Sequence, residues 1–148
     1  MRKVLSLFAV LVFFSFSSFS QAGKIPAAIT TNFEKQYPTA KDVEYKDALT
    51  SVQVHFKMDD AKMIAKYNSK GEWKETEKEW SYDKLPPEVI DGFQKSKYAD
   101  DWKVKETAVI NSSGGFERYR LKVEKNDIQK KYLFFSKEGR LMREAVAL

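Results

Sequence analysis

Leu85-Pro86-Pro87-Glu88-Val89-Ile90-Asp91-Gly92-Phe93 decides how this chain is read, because Ile25-Pro26-Ala27-Ala28-Ile29-Thr30-Thr31-Asn32-Phe33 carries the same pattern earlier in the chain. Each stretch begins with an aliphatic residue and a proline, then sets apolar side chains four apart. The two sets are Ile25, Ile29, Phe33 and Leu85, Val89, Phe93. Residues at i, i+4 and i+8 share one face of a helix. A proline suits the first helical position, where the missing N–H would have had no intrahelical partner. The chain therefore reads as two copies of one unit, about 24–80 and 84–148, each opened by a short amphipathic helix.

Working outward from each helix, the pattern changes period from four to two. In the first copy Val43 and Tyr45 alternate with charged neighbours, and Val52, Val54, Phe56 and Met58 alternate with Gln53, His55 and Lys57. That is the signature of half-buried strands. Asp59-Asp60 supplies a turn, Met63 to Tyr67 a third strand, and Asn68-Ser69-Lys70-Gly71 a second turn with a glycine free to take positive φ. Trp73 to Trp80 is strongly charged and is expected at an edge or a solvated position. The second copy repeats the order. Trp102, Val104 and Glu106 alternate, Asn111 to Gly115 is a loop, and Tyr119, Leu121 and Val123 alternate with Arg118, Arg120 and Lys122. Ile128 to Phe135, the turn Ser136-Lys137-Glu138-Gly139 and Arg140 to Ala147 complete it. Gly71 aligns with Gly139, Tyr67 with Phe135 and Trp73 with Leu141. The expected fold is α+β: two helix-plus-four-strand units sharing an antiparallel sheet of about eight strands, helices on one face.

The N-terminus reads differently. Met1-Arg2-Lys3 is a positive n-region, Val4 to Phe16 is apolar apart from Ser6 and Ser15, and Ser20-Gln21-Ala22 places small residues at −3 and −1 of a cut before Gly23. Residues 1–22 are thus expected to be a cleaved signal peptide, leaving 23–148 as one domain in the periplasm or outside the cell. Serines interrupt the apolar run too early for the roughly 20 residues a spanning helix needs, so no stable membrane insertion is expected after cleavage. Loss of Arg2 and Lys3 lowers the formal net charge from +5 to +3. No block of one sign marks a nucleic-acid arm, and export also argues against nucleic acid as a partner. The chain has no cysteine, so apolar burial rather than disulfides must hold the fold.

The prolines that open the helices, followed by Phe33 and Phe93, together with Tyr67-Asn68-Ser69-Lys70-Gly71 and Phe135-Ser136-Lys137-Glu138-Gly139, resemble the PepSY-like proteins, in particular their exported, β-lactamase-inhibitor-like bacterial branch. The resemblance spans Lys24 to Leu148 and rests on turns and core positions. It implies tandem α/β units joined in one eight-stranded sheet and a binding or inhibitory role in the cell envelope. The β-lactamase inhibitor proteins proper use cysteines, absent here, so inhibition of that enzyme is not carried over.

Catalytic chemistry has little to build on. His55 is the only histidine; it sits on the polar side of its strand, and a hydrolase would have to run through it. Asp59-Asp60 and Asp100-Asp101 lack the spacing of a calcium loop, and turn formation explains both. Glu75, Glu77 and Glu79 read as a solvated strand face. No catalytic residue, metal or cofactor is expected. Aromatic residues make up 14% of the chain, and Phe33, Phe56, Tyr67, Phe93 and Phe135 fall at core phases. Tyr132 and Phe134 are out of phase with Phe135 and point to the other face of the sheet. With Arg118, Arg120 and Lys122 beside them, they form either a recognition patch or a second small core. The expected binding residues on the open face are His55, Lys57, Arg118, Arg120, Lys122, Tyr132 and Phe134. The expected partner is an envelope protein or peptide, its identity and the oligomeric state being undetermined by sequence. A small-ligand carrier with a pocket between helices and sheet is the alternative, and a hydrolase using His55 a further one.

Overall fold

Pro26 and Pro86 fix the backbone just ahead of each helix, with φ of −57° and −52°. The computed structural model describes residues 25–147, so residues 1–22, expected from the sequence to be a signal peptide, lie outside the described residues. Both prolines are N-caps rather than first helical residues, and Pro87 occupies the first position of the second helix. Their carbonyls accept the first helical bonds, from Ile29 and Val89, each at 2.9 Å. Helix α1 spans Ala27–Gln36 and α2 spans Pro87–Gln94.

Four strands follow α1: β1 (Lys41–Ala48), β2 (Ser51–Met58), β3 (Ala61–Asn68) and β4 (Trp73–Trp80). Four more follow α2: β5 (Lys103–Ser112), β6 (Glu117–Glu124), β7 (Lys130–Ser136) and β8 (Leu141–Val146). All eight lie in chain order in one antiparallel sheet. The turns explain the simple order. Asp59 and Asp60 both take positive φ, 50° and 61°, the mirror-image turn whose twist matches that of the strands it joins. Gly71 and Gly139 take φ of 85° and 78° in the β3–β4 and β7–β8 turns.

Register then fixes the layers. Met63, Lys78, Val109, Tyr119 and Phe135 form one row across β3 to β7, and both helices cover that face. Under α1, Ile29 and Phe33 pack on Val54, Phe56, Ala65 and Tyr67; under α2, Val89 and Phe93 pack on Tyr119, Leu121, Leu133 and Phe135. Each such side chain, fully buried, stabilises by about 1.5–3 kcal/mol. Ile29, Val54, Tyr67, Val89, Leu121, Leu133 and Phe135 have no exposed surface, so these parts of the helix–sheet layer are filled by side chains. That packing counts against a carrier pocket there.

The two helices meet their hairpins in matching ways. A Cβ on Gly71 would press on Ala28, and the Asn32 amide donates to the Gly71 carbonyl at 2.8 Å. In the second copy a Cβ on Gly92 would overlap the Gly139 carbonyl, and one on Gly139 would overlap the Glu88 carbonyl. Gly92 therefore costs helix propensity because the β7–β8 turn runs against it.

Two sequence expectations need correction. β4 is not an edge but the strand that joins the halves, between β3 and β5; its charges are paired, as described below. In β5, Thr107, Ala108, Val109 and Ile110 are all buried, so both faces of this strand are covered where the alternation of Trp102, Val104 and Glu106 anticipated one. A register shift between Val104 and Glu106 breaks that alternation.

Candidate functional site on the open sheet face

The face without helices is built by arginines reaching across a strand of small and aliphatic residues. Arg118 and Arg120 stand on β6, Ile110 and Ala108 are their neighbours on β5, and Glu77 and Glu79 are the next positions on β4. Arg118 extends over β5 to hydrogen-bond Glu75, and Arg120 does the same to Glu77. Lys66 joins Glu75 from β3 at 2.8 Å, and Lys122 pairs with Glu106 at 2.8 Å. Beneath these bridges Ala108 and Ile110 are each only 1% exposed. The Arg120 and Glu77 side chains are themselves 13% exposed, so this pair is largely removed from water.

This arrangement corrects the reading of the acidic strand. Glu75 and Glu77 are not simply solvated, because Arg118 and Arg120 pair with them. Burial raises the Glu75 pKa, but the hydrogen bonds and charges of Lys66 and Arg118 outweigh it and hold the carboxyl below its usual range. On Arg120, Nε and Nη1 are buried and have no hydrogen-bond partner among the described residues. The guanidinium carbon lies 4.5 Å from the centre of the Tyr132 ring, a cation–π contact that supplies part of the missing stabilisation.

Tyr132 and Phe134 are half-buried and belong to neither core cluster. Their cross-strand partners on β6 are Lys122 and Arg120. Arg143 on β8 faces Phe134 across the hairpin and places its guanidinium 4.8 Å from that ring. Each aromatic is thus capped by an arginine instead of covered by a loop. Arg143 escaped the sequence reading because the register shift between Phe134 and Phe135 displaces the pairing that a simple hairpin would give.

His55 and Lys57 share the face but not the patch. They lie on β2, five strands from β7, or about 24 Å at the usual strand spacing. Lys57 is paired with Asp42 at 2.7 Å. His55 has one weak contact, 3.4 Å to Gln53; partial burial and then the charge of Lys46 lower its pKa. A neutral imidazole with no carboxylate orienting it and no hydroxyl beside it among the described hydrogen bonds has no triad geometry. No group of three or more histidine, cysteine, aspartate or glutamate residues placed to hold a metal ion occurs among the described residues. A shallow cavity of about 330 Å³ lies over β3 to β6, bordered by Lys62, Ile64, Glu79, Ala108 and Arg120.

An open antiparallel sheet, helices confined to one side and a polar and aromatic layer on the other define an α+β module of the tandem-repeat kind. The chain belongs to the PepSY-like family, whose model, described as "Putative beta-lactamase-inhibitor-like, PepSY-like", matches residues 50–143. No curated protein matches the chain. Among solved structures, a BLIP-like protein from Bacteroides fragilis is 25% identical with a TM-score of 0.69, covering 84% of this chain and 89% of that one. A DUF2874 family protein from Bacteroides uniformis is 21% identical with a TM-score of 0.75, covering 82% and 88%. A protein from Bacteroides eggerthii described among periplasmic candidates is 20% identical with a TM-score of 0.75, covering 84% and 90%. The last two share the fold. No helix among the described residues is long and apolar enough to cross a membrane.

Proposed function

We propose that this protein is a non-catalytic, inhibitor-like binding module that holds a protein or peptide of the cell envelope against the β6–β8 part of its open face. The observation that carries this reading is the pair Tyr132 and Phe134, half-buried, outside both cores, and capped by Arg120 and Arg143 on a face no helix covers. Aromatic and arginine side chains are the usual energetic anchors of protein interfaces. Eight strands at about 4.8 Å make a surface roughly 35 Å wide, ample for a typical interface of about 800 Å² per partner. The family's inhibitor-like description and the BLIP-like relative support a binding role, and the periplasmic neighbour supports an envelope location. Protein recovered from cells is expected to begin at Gly23; recovery of an intact, membrane-bound Met1 form would overturn the reading of a cleaved, periplasmic or secreted protein.

The test is photocrosslinking in the envelope. A photoreactive residue at Ser136, beside Phe134 on the open face, is expected to give a discrete protein adduct; the same residue at Lys35, on the exposed side of α1, is expected to give none. An adduct from Lys35 alone would move the binding surface to the helices.

A further inference from the structure

The sheet has two free edges, and they are unequal. β1 carries five charged residues among its eight and is broken by a register shift at Asp42, whose φ is 53°. These are the devices that keep an edge from pairing with another chain. β8 carries two charges among six, and its own register shift falls at the start, so Arg143 to Val146 pair regularly with β7. Met142 and Val146 are 53% and 74% exposed.

The backbone of this stretch is directed outward at alternate residues. The Ala147 N–H donates to the Lys130 carbonyl at 3.0 Å, which makes that pair, then Ala145–Tyr132 and Arg143–Phe134, the hydrogen-bonded pairs of the ladder. The N–H and C=O groups of Glu144 and Val146 therefore face away from β7, toward the open edge. The surrounding charge is basic. From Lys130 to Ala147 there are five basic side chains against two acidic ones, and Lys137, Arg140 and Arg143 make no ion pair among the described residues. Glu144 is already held by Lys97 at 3.2 Å and Lys131 at 3.4 Å.

We infer that the β8 edge accepts an extended, acidic segment of another polypeptide as a ninth strand, hydrogen-bonded to Glu144 and Val146 and drawn in by Arg140 and Arg143. Strand addition of this kind takes its affinity from the main chain and its selectivity from alternate side chains. A second copy of β8 is a poor occupant, because two edges of the same net positive charge oppose each other and so short a ladder falls well below a stable interface. The site uses the outer backbone edge of β8 and not the sheet face, and shares only Arg143 with the open-face patch.

Amide hydrogen exchange tests this directly, with blocked heptapeptides of alternating valine and glutamate, or valine and lysine, as probes. The acidic peptide is expected to slow exchange at Glu144 and Val146 at least tenfold while leaving Val43 and Tyr45 of β1 unchanged; the basic peptide is expected to do much less. Val146→Pro removes an outward N–H without touching the β7 ladder, and should abolish the slowing at Glu144. Arg143→Glu, which leaves the backbone intact, should weaken the acidic peptide and is the variant to read if Val146→Pro does not fold. Absence of slowing, equal slowing by the basic peptide, or protection that appears with protein concentration alone would overturn the inference, the last assigning the edge to a second copy.

Discussion

At the scale of single residues, the fold turns on a few places where backbone meets backbone and charge meets charge. Gly92→Ala ought to gain about 1 kcal/mol of helix propensity, yet its methyl would enter the Gly139 carbonyl. Overpacking of this kind costs about 1–3 kcal/mol, so the variant is expected to be destabilised in urea unfolding; a gain in stability would mean the helix and turn separate easily. Gly115→Ala is the control, since it has positive φ but nothing within 4 Å of the added atom; it should lose only the roughly 1–2 kcal/mol of a left-handed conformation. The ion pairs make a second prediction. Removing one partner of a largely buried pair costs about 3–5 kcal/mol, so Arg120→Ala should be strongly destabilising, whereas Arg120→Met with Glu77→Leu should be nearly neutral. Equal losses from both would mean that packing and not charge holds these residues. Glu75 contributes to the pH dependence, as do the more exposed Asp42, Glu72, Glu138 and Glu144, which are shifted the same way. The folded pKa of Glu75 lies below the ordinary value, so its contribution is present above the unfolded pKa and is lost as pH falls through the folded one. Stability should drop below about pH 4.5, and Glu75→Gln should flatten that drop.

At the scale of elements, helices and hairpins were legible because their signals are local. The proline-led apolar spacing located α1 and α2, and the alternation of Val52, Val54 and Phe56 located β2 with the correct side facing the core. The burial of Phe33 and Phe93, 2% and 7% exposed, follows from the same spacing. Phe93→Ala is expected to cost about 3–5 kcal/mol, and a loss below about 1 kcal/mol would mean α2 packs by another face. β4 was located, but its place inside the sheet was not legible, and the reason is distance. Trp73 to Trp80 reads as a solvated strand because only Glu75 has a basic partner nearby in sequence, Lys66 across the hairpin. The arginine partners of Glu75 and Glu77, Arg118 and Arg120, are 43 residues away and arrive only when β5 and β6 have paired. β5 hid itself for a related reason: Ala108 and Ile110 sit on the polar face and are buried by side chains from β4 and β6, not by an apolar layer. Of the candidate site, the phase of Tyr132 and Phe134 was readable from Phe135, while the capping by Arg143 depended on a register shift that nothing in the sequence announces.

At the scale of the whole molecule, two helices on one side leave a broad sheet whose other side is an ionic lattice over β3 to β6 and an aromatic pair over β7. The lattice pairs Glu75 and Glu77 with Lys66, Arg118 and Arg120, so it shapes the face without offering many free anchors. The aromatics are what remain for a partner. Removing Arg120 along with them would confuse the outcome, because Glu77 would be stranded. Tyr132→Thr with Phe134→Thr keeps the ion pairs and suits a strand. The direct measurement is the yield of the Ser136 photocrosslinked adduct in the envelope from this double variant, read beside its thermal midpoint. The account predicts that the adduct disappears while the midpoint stays within a few degrees of the parent. A folded variant that still forms the same adduct at the same yield would contradict it.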